Sequence, residues 1–246
     1  MIKLIKALIE WRGVESYEAS ERPNVVFKYV SMFGSKRYEK HRQKFLRKPE
    51  NVLRLSRKKN LADYLENFEK LSNHPEGSFG REFFEFMSSE EIDYAKFLSS
   101  YQKNKPSESA EETPLTKILN EHHRWEKDVH DIIHVVFGYS RSRFGEGATL
   151  ATHYFQGGAT GMVVLFVFGT FRVISKRPST LFTMIRVWID IYLRQRNVDL
   201  RSYPFEDNLQ KSLEEIRLEL GVRPPTKAIN TCERFTTWSK EVIKTG

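Results

Sequence analysis

Residues 130–146 read HDIIHVVFGYSRSRFGE. Two imidazoles, His130 and His134, stand four residues apart, with the carboxylate of Asp131 beside the first. After eleven more residues comes a second carboxylate, Glu146. An α-helix turns by about 100° per residue, so with His130 at zero, His134 falls at about 40° and Asp131 at about 100°. All three fall within about 100° of a helix surface, and Ile132, Ile133, Val135 and Val136 make the surroundings apolar. The run from Gly138 to Gly145 reverses the chain, and Glu146 opens the next helix. An antiparallel helix pair returns that carboxylate to the histidine face, and the helix dipole favours an acid in a first turn.

Polar groups in apolar surroundings need partners, and a metal ion serves several at once. His130, Asp131, His134 and Glu146 together offer two neutral imidazoles and two carboxylates, which balance one divalent cation. Nitrogen and oxygen donors without a thiolate allow zinc, iron, manganese or cobalt and do not choose among them; the expected cofactor is a divalent metal, zinc first, with iron, manganese, cobalt and magnesium as alternatives. Fewer than six protein donors leaves positions for water or substrate, the arrangement of a catalytic site. The plainer alternative is a hydrogen-bonded helix face with no ion. Glu126, His123 and His153 lie one or two turns from the motif and suit the role of holding a ligand's tautomer. Arg141, Arg143 and His153 are the candidate substrate contacts; the two arginines suit a phosphate or carboxylate.

Outward from this motif the chain reads as helix. Glu, Lys, Leu and Arg recur, Gly is sparse at 13 of 246 residues, and no internal repeat or strand pair stands out. The expected fold is all-α: a single irregular multi-helix bundle over 1–246, with a central antiparallel helix pair carrying the metal motif. A long helix is expected from Leu115 to Phe137, and others over 23–33, 61–72, 79–88, 180–195, 207–220 and 227–243. Ser78 is placed to cap the helix over 79–88. The polar run 101–114 reads as an exposed loop. The greasiest stretch, Met162 to Phe168, is too short for a membrane span of about twenty residues. It reads as a buried core helix or the floor of an apolar groove.

The formal charge is +8, so the surface favours anions. Residues 1–59 read as basic N-terminal helices, most basic over 36–59, with Pro49 and Glu50 starting a helix. A solvated face is the plain account; a contact with anionic lipid is the functional one, at about 1 kcal/mol per basic residue. Few aromatics interleave with these charges, so nucleic acid is not expected as a partner. Cys232 is the only cysteine, which excludes an internal disulfide and a cysteine-rich metal site. The N-terminal segment MIKLIKALIEW is interrupted by Lys6 and Glu10 and reads as an amphipathic helix rather than a secretory signal.

The pattern His130-Asp131-x-x-His134, eleven residues, Glu146 resembles the signature of the coenzyme Q (ubiquinone) biosynthesis protein 4 family. Pro75 to Phe83 and Leu213 to Val222 are similar to further elements of that family, so the resemblance covers 60–225. It implies an all-helical protein peripheral to a membrane, with His130, Asp131, His134 and Glu146 as metal ligands. It implies action on the quinone head group, described both as decarboxylation with hydroxylation and as organisation of the biosynthetic enzymes. The expected partners are a polyprenyl lipid or prenylated quinone precursor, other quinone-biosynthesis proteins and an anionic membrane surface; a homo-oligomer is compatible. The expected location is the cytoplasmic side of a bacterial membrane, ahead of the mitochondrial matrix. A metal-dependent enzyme is one reading, a non-catalytic prenyl-lipid-binding scaffold the other. A phosphohydrolase recruiting His123, Asp190 or Asp199 is a third.

Overall fold

The structure is a computed structural model, and it describes residues 36–57, 68–88, 113–158 and 160–232. The helices expected over 23–33 and at the N-terminus, and most of those over 61–72 and 227–243, lie outside the described residues. Every regular element described is helical; the one extended pairing is an isolated bridge between Ser78 and Ser212. The helices are α1 (Lys36–Leu46), α2 (Pro49–Ser56), α3 (Phe68–Leu71), α4 (Phe79–Ser88), α5 (Pro114–Phe137), α6 (Arg143–Phe155), α7 (Thr160–Lys176), α8 (Leu181–Gln195) and α9 (Leu213–Leu220).

The long helix α5 organises the rest. Thr113 caps it, its hydroxyl accepting from Thr116 N, and Pro114 takes the first position, where no N–H is missed. Residues 113 and 114 are therefore cap and first turn, not the end of the loop expected over 101–114. Val129, Ile132, Ile133 and Val136 recur at helical spacing and are fully buried. Each such side chain contributes about 1.5–3 kcal/mol on burial, so this stripe fixes the helix's orientation. The helices α2, α4, α6 and α9 pack against α5, and α6 also meets α7 and α8.

The C-terminal helix starts later than its periodicity suggests. In place of a helix over 207–220 there is a 3-10 turn at Phe205–Asp207, and α9 begins at Leu213 under a capping box of Ser212 and Glu215. The reason is tertiary. Carbonyls of Leu209 and Lys211 accept from Gly80 N and Phe79 N at 2.8 and 2.9 Å, and Leu213 N donates to Gly77 O at 2.9 Å. The backbone over 209–211 thus satisfies the first turn of α4 and cannot coil at the same time.

Two surface expectations change. Part of the basic stretch, within its described residues 36–57, is tied to the protein itself. Arg54 is buried, donating to the carbonyls of Arg201 and Tyr203, with Glu206 3.4 Å away. Lys48 pairs with Asp199, Arg57 with Asp207, and Arg37 stacks on Tyr154. The Met162–Phe168 stretch is not a buried core helix. Met162 and Phe166 face inward, but Val167 and Phe171 on α7 are exposed, as are Phe182, Ile185 and Ile189 on α8. This leaves an open apolar face across the two helices. No helix among the described residues is long and apolar enough to cross a membrane.

Candidate metal centre

The seam between α5 and α6 holds the motif. Along α5 the stripe Glu126, His130, His134 recurs every four residues; along α6 the facing stripe is Glu146, Thr149, His153. The contacts join them in opposing order: Glu126 meets His153, while His130 and His134 meet Glu146.

Two glycines make this convergence possible. Gly138 ends α5 at φ 66, the left-handed conformation that costs glycine little. That turn swings the backbone so that the Tyr139 carbonyl comes within 3.1 Å of His134 Nδ1. Ser142 then caps α6, its hydroxyl accepting from Gly145 N at 3.0 Å. The helix therefore opens at Arg143, with Glu146 in its first turn rather than at its start. At Gly145 an added Cβ would lie 1.8 Å from the Ser140 carbonyl oxygen, so only glycine allows the reversal to close this tightly.

His134 is the most constrained member. A carbonyl can only accept, so its Nδ1 carries the proton donated to Tyr139 O. In the neutral ring, the form that binds a metal, the Nε2 atom is then a bare lone pair. It is buried without a hydrogen-bond partner and lies 3.5 Å from Glu146 Oε2. Two acceptors face each other at that distance, an arrangement a cation between them would relieve. His130 Nε2 is 3.3 Å from the same oxygen. Two ligands on one tetrahedral zinc, each bonded at about 2.0–2.1 Å, sit about 3.3 Å apart. One ligand atom from each of His130, His134 and Glu146 lies within 4.8 Å of the others. The donor set therefore fits a divalent ion.

Asp131 stands outside this set of mutually close atoms, as its 100° offset around the helix allows. It acts on His130 through its charge. Arg141 stacks over Phe86 at 4.5 Å, and Phe86 in turn stacks on His134 at 5.1 Å, so the guanidinium lies beside the centre. Arg143 occupies the first position of α6; its side chain lies outside the described residues, as does that of His123. His153 is fully buried and its Nε2 faces Glu126 at 3.3 Å. Asp190 accepts from the Thr226 hydroxyl, and Asp199 pairs with Lys48 and caps Ser202. Neither is among the mutually close donors at His130, His134 and Glu146.

The electrostatics follow from proximity. Burial alone would lift the Glu146 carboxyl, but contact with His130 and His134 and their charge outweigh it and hold Glu146 far below the usual carboxylate range. Burial would lower His130, yet its bond to Glu146 and the charges of Glu146 and Asp131 raise it despite Arg141. Deeper in the seam, Glu126 would also be lifted by burial. Arg201, then His153 and His122, pull it down to about 2. Arg201 reaches Glu126 with both guanidinium nitrogens, one of them 3.0 Å from Oε2. Burial pushes His153 down, partly offset by Glu126. Sequence reasoning named Glu126 and His153 but missed Arg201 and His122. The four-residue spacing of His122 and Glu126 could have shown one; nothing in the sequence links Arg201 to a residue 75 positions earlier.

Comparison with known proteins finds similarity over the region that holds these features. Residues 118–226 match the pattern described as Coenzyme Q (ubiquinone) biosynthesis protein Coq4. The chain is 25% identical over 197 residues to the mitochondrial ubiquinone biosynthesis protein COQ4 homolog of Rattus norvegicus, covering 77% of this chain and 69% of that protein. The Homo sapiens counterpart is 24% identical over 187 residues, covering 75% and 65%. A candidate ubiquinone biosynthesis protein of Nostoc punctiforme, known from its crystal structure, shares the fold. Its TM-score is 0.59 at 19% identity, over 90% of this chain and 97% of that one. The match to the coenzyme Q (ubiquinone) biosynthesis protein Coq4 family spans residues 118–226, which contain the α5–α6 seam and its histidines.

Proposed function

We propose that this protein is a metal-dependent component of ubiquinone biosynthesis, with a divalent cation, zinc foremost, held by His130, His134 and Glu146. The names of the relatives supply the pathway. The observation that carries the metal is the placement of His134 Nε2, buried without a hydrogen-bond partner 3.5 Å from the Glu146 carboxylate while Nδ1 faces Tyr139 O. The family resemblance supplies the reaction class, head-group decarboxylation with hydroxylation on a prenylated ring. A bound metal would supply Lewis-acid polarisation of the ring oxygens. The protein's own share is positional. Tyr139 O orients the His134 ring, Glu146 orients that of His130, Asp131 adds negative charge one residue away, and Arg141 suits the carboxylate of an acidic ring substrate.

The test is His134→Ala, with bound metal and head-group conversion measured separately on the same preparation. Loss of both supports the proposal; conversion unchanged after the metal is lost would overturn the catalytic role.

A second reading, a prenyl-lipid-binding scaffold for other quinone-biosynthesis proteins, is favoured by the open face of α7 and α8. Phe171 is 67% exposed and Phe182 78%. Around them Arg172, Lys176, Arg177 and Arg186 are exposed, and no acid occurs between residues 160 and 189. An apolar face framed by cations suits an isoprenoid tail or an anionic bilayer, with the chain peripheral to it. Isoprenoid copurifying with a chain that turns nothing over would favour the scaffold. The relatives are named mitochondrial, and a membrane surface of that organelle or of a bacterium meets the same chemistry.

A further inference from the structure

The seam holds more polar atoms than the cluster of His130, His134 and Glu146 uses. Among the described residues, His130 Nδ1, His153 Nδ1 and Thr149 Oγ1 are all buried and have no hydrogen-bond partner. Thr149 and His153 lie on one stripe of α6, and the His130 ring faces His153 across the seam with centroids 6.5 Å apart. Orphaned buried polar atoms are costly singly, and three together call for a common account.

Tautomers provide it. His153 Nε2 is 3.3 Å from a Glu126 oxygen that Arg201 also holds. A neutral imidazole facing an ionised carboxylate places its proton on that side. His153 Nδ1 is left as a lone pair lacking a donor. His130 is the mirror case. If its Nε2 lone pair serves the cation beside Glu146, its one proton sits on Nδ1 and lacks an acceptor. The two atoms complement each other. Two hydrogen bonds through one water span about 4.5–5 Å between nitrogens, which suits rings at this separation. A buried water also needs two to four polar partners, and the Thr149 hydroxyl supplies a third.

We infer that His153 is a positioning residue for the metal centre: held by Glu126 and Arg201, it accepts the Nδ1 proton of His130 through one water shared with Thr149, and so aims His130 Nε2 at the cation. The inference rests on the metal reading above. It gives the buried ionic network Glu126–Arg201–His153 a functional purpose beyond packing, because outer partners of this kind set the orientation and basicity of a ligand.

The test uses the full chain and zinc itself. The affinity of wild type, His153→Gln and His153→Asn is measured by competition with a chromophoric chelator. The nitrogen shifts of His130 are read by NMR in the zinc-loaded protein. A Gln side chain keeps a donor for Glu126 but has no acceptor at the Nδ1 position; an Asn carbonyl restores that acceptor. His153→Gln is expected to bind zinc about 10- to 100-fold more weakly, with His153→Asn recovering most of the loss. In wild type the His130 Nδ1 proton is expected to be bound and slow to exchange. A folded His153→Gln protein with wild-type affinity and unchanged His130 shifts overturns the inference, as does an Asn variant no better than Gln. Should His153→Gln not fold, the wild-type spectrum decides: a rapidly exchanging or absent Nδ1 proton overturns it. Wild type that takes up no zinc refutes the metal reading, a result distinct from failure of His153 alone.

Discussion

Replacing Gly145 with alanine sets two rules against each other. Alanine is the better helix former by about 1 kcal/mol, so local propensity expects Gly145→Ala, within α6, to stabilise the protein. The structure expects the reverse. The new Cβ would lie 1.8 Å from the Ser140 carbonyl oxygen, and recovering a contact of 3.0 Å requires the backbone to give 1.2 Å. The obstacle is backbone, which cannot swing aside as a side chain can. Overpacking of this kind costs about 1–3 kcal/mol and can exceed it. A net loss of about 2 kcal/mol lowers the Tm of a chain this size by about 4–8 °C. The displacement falls on the residue next to Glu146, so zinc affinity should drop by about tenfold or more even in the folded fraction. Gly169→Ala is the control. Gly169 lies within α7, has open space where its Cβ would go, and should gain about 0.5–1 kcal/mol. Thermal melts and chelator competition on the two variants decide the matter. A Gly145→Ala protein as stable as Gly169→Ala, with unchanged zinc affinity, would show that the tight reversal does not hold Glu146 in place.

The pH dependence of the metal-free protein has a defined shape. Glu146 is depressed, so its contribution is present above its unfolded value of about 4.3 and is lost as pH falls through its lower folded value. His130 is raised, so its contribution is complete below about 6.5 and is lost as pH rises through its higher folded value. The Tm difference between wild type and Glu146→Gln should therefore be largest between about pH 4.3 and 6.5; a difference flat from pH 3 to 9 would contradict the pairing. Arg201→Met strands the buried Glu126 carboxylate and should cost about 3–5 kcal/mol in urea unfolding, and a cost below about 1 kcal/mol would mean the network is better hydrated than its burial indicates. Phe182→Glu, at an exposed position, should leave urea stability within about 0.5 kcal/mol while reducing flotation with anionic vesicles; unchanged flotation removes the α7–α8 face from membrane contact.

Local pattern along the chain was enough to set the central helix and the spacing of the motif. Periodic burial of Val129, Ile132, Ile133 and Val136 required a helix at α5, whose start needed only Thr113 and Pro114. The spacing of His130 and His134 put both rings on one face, because helical geometry is a local property. Only the tertiary structure decided what those rings meet. It separated Asp131 from the cluster, brought Arg201 to Glu126 across 75 residues, and turned Arg54 inward to the carbonyls of Arg201 and Tyr203. It also delayed α9 to Leu213, because the backbone before it bonds to α4. The physical reason is one of range. Propensity, capping and periodicity act within about one or two helical turns, whereas pairing a buried charge or an open backbone group depends on which distant segment packing delivers beside it.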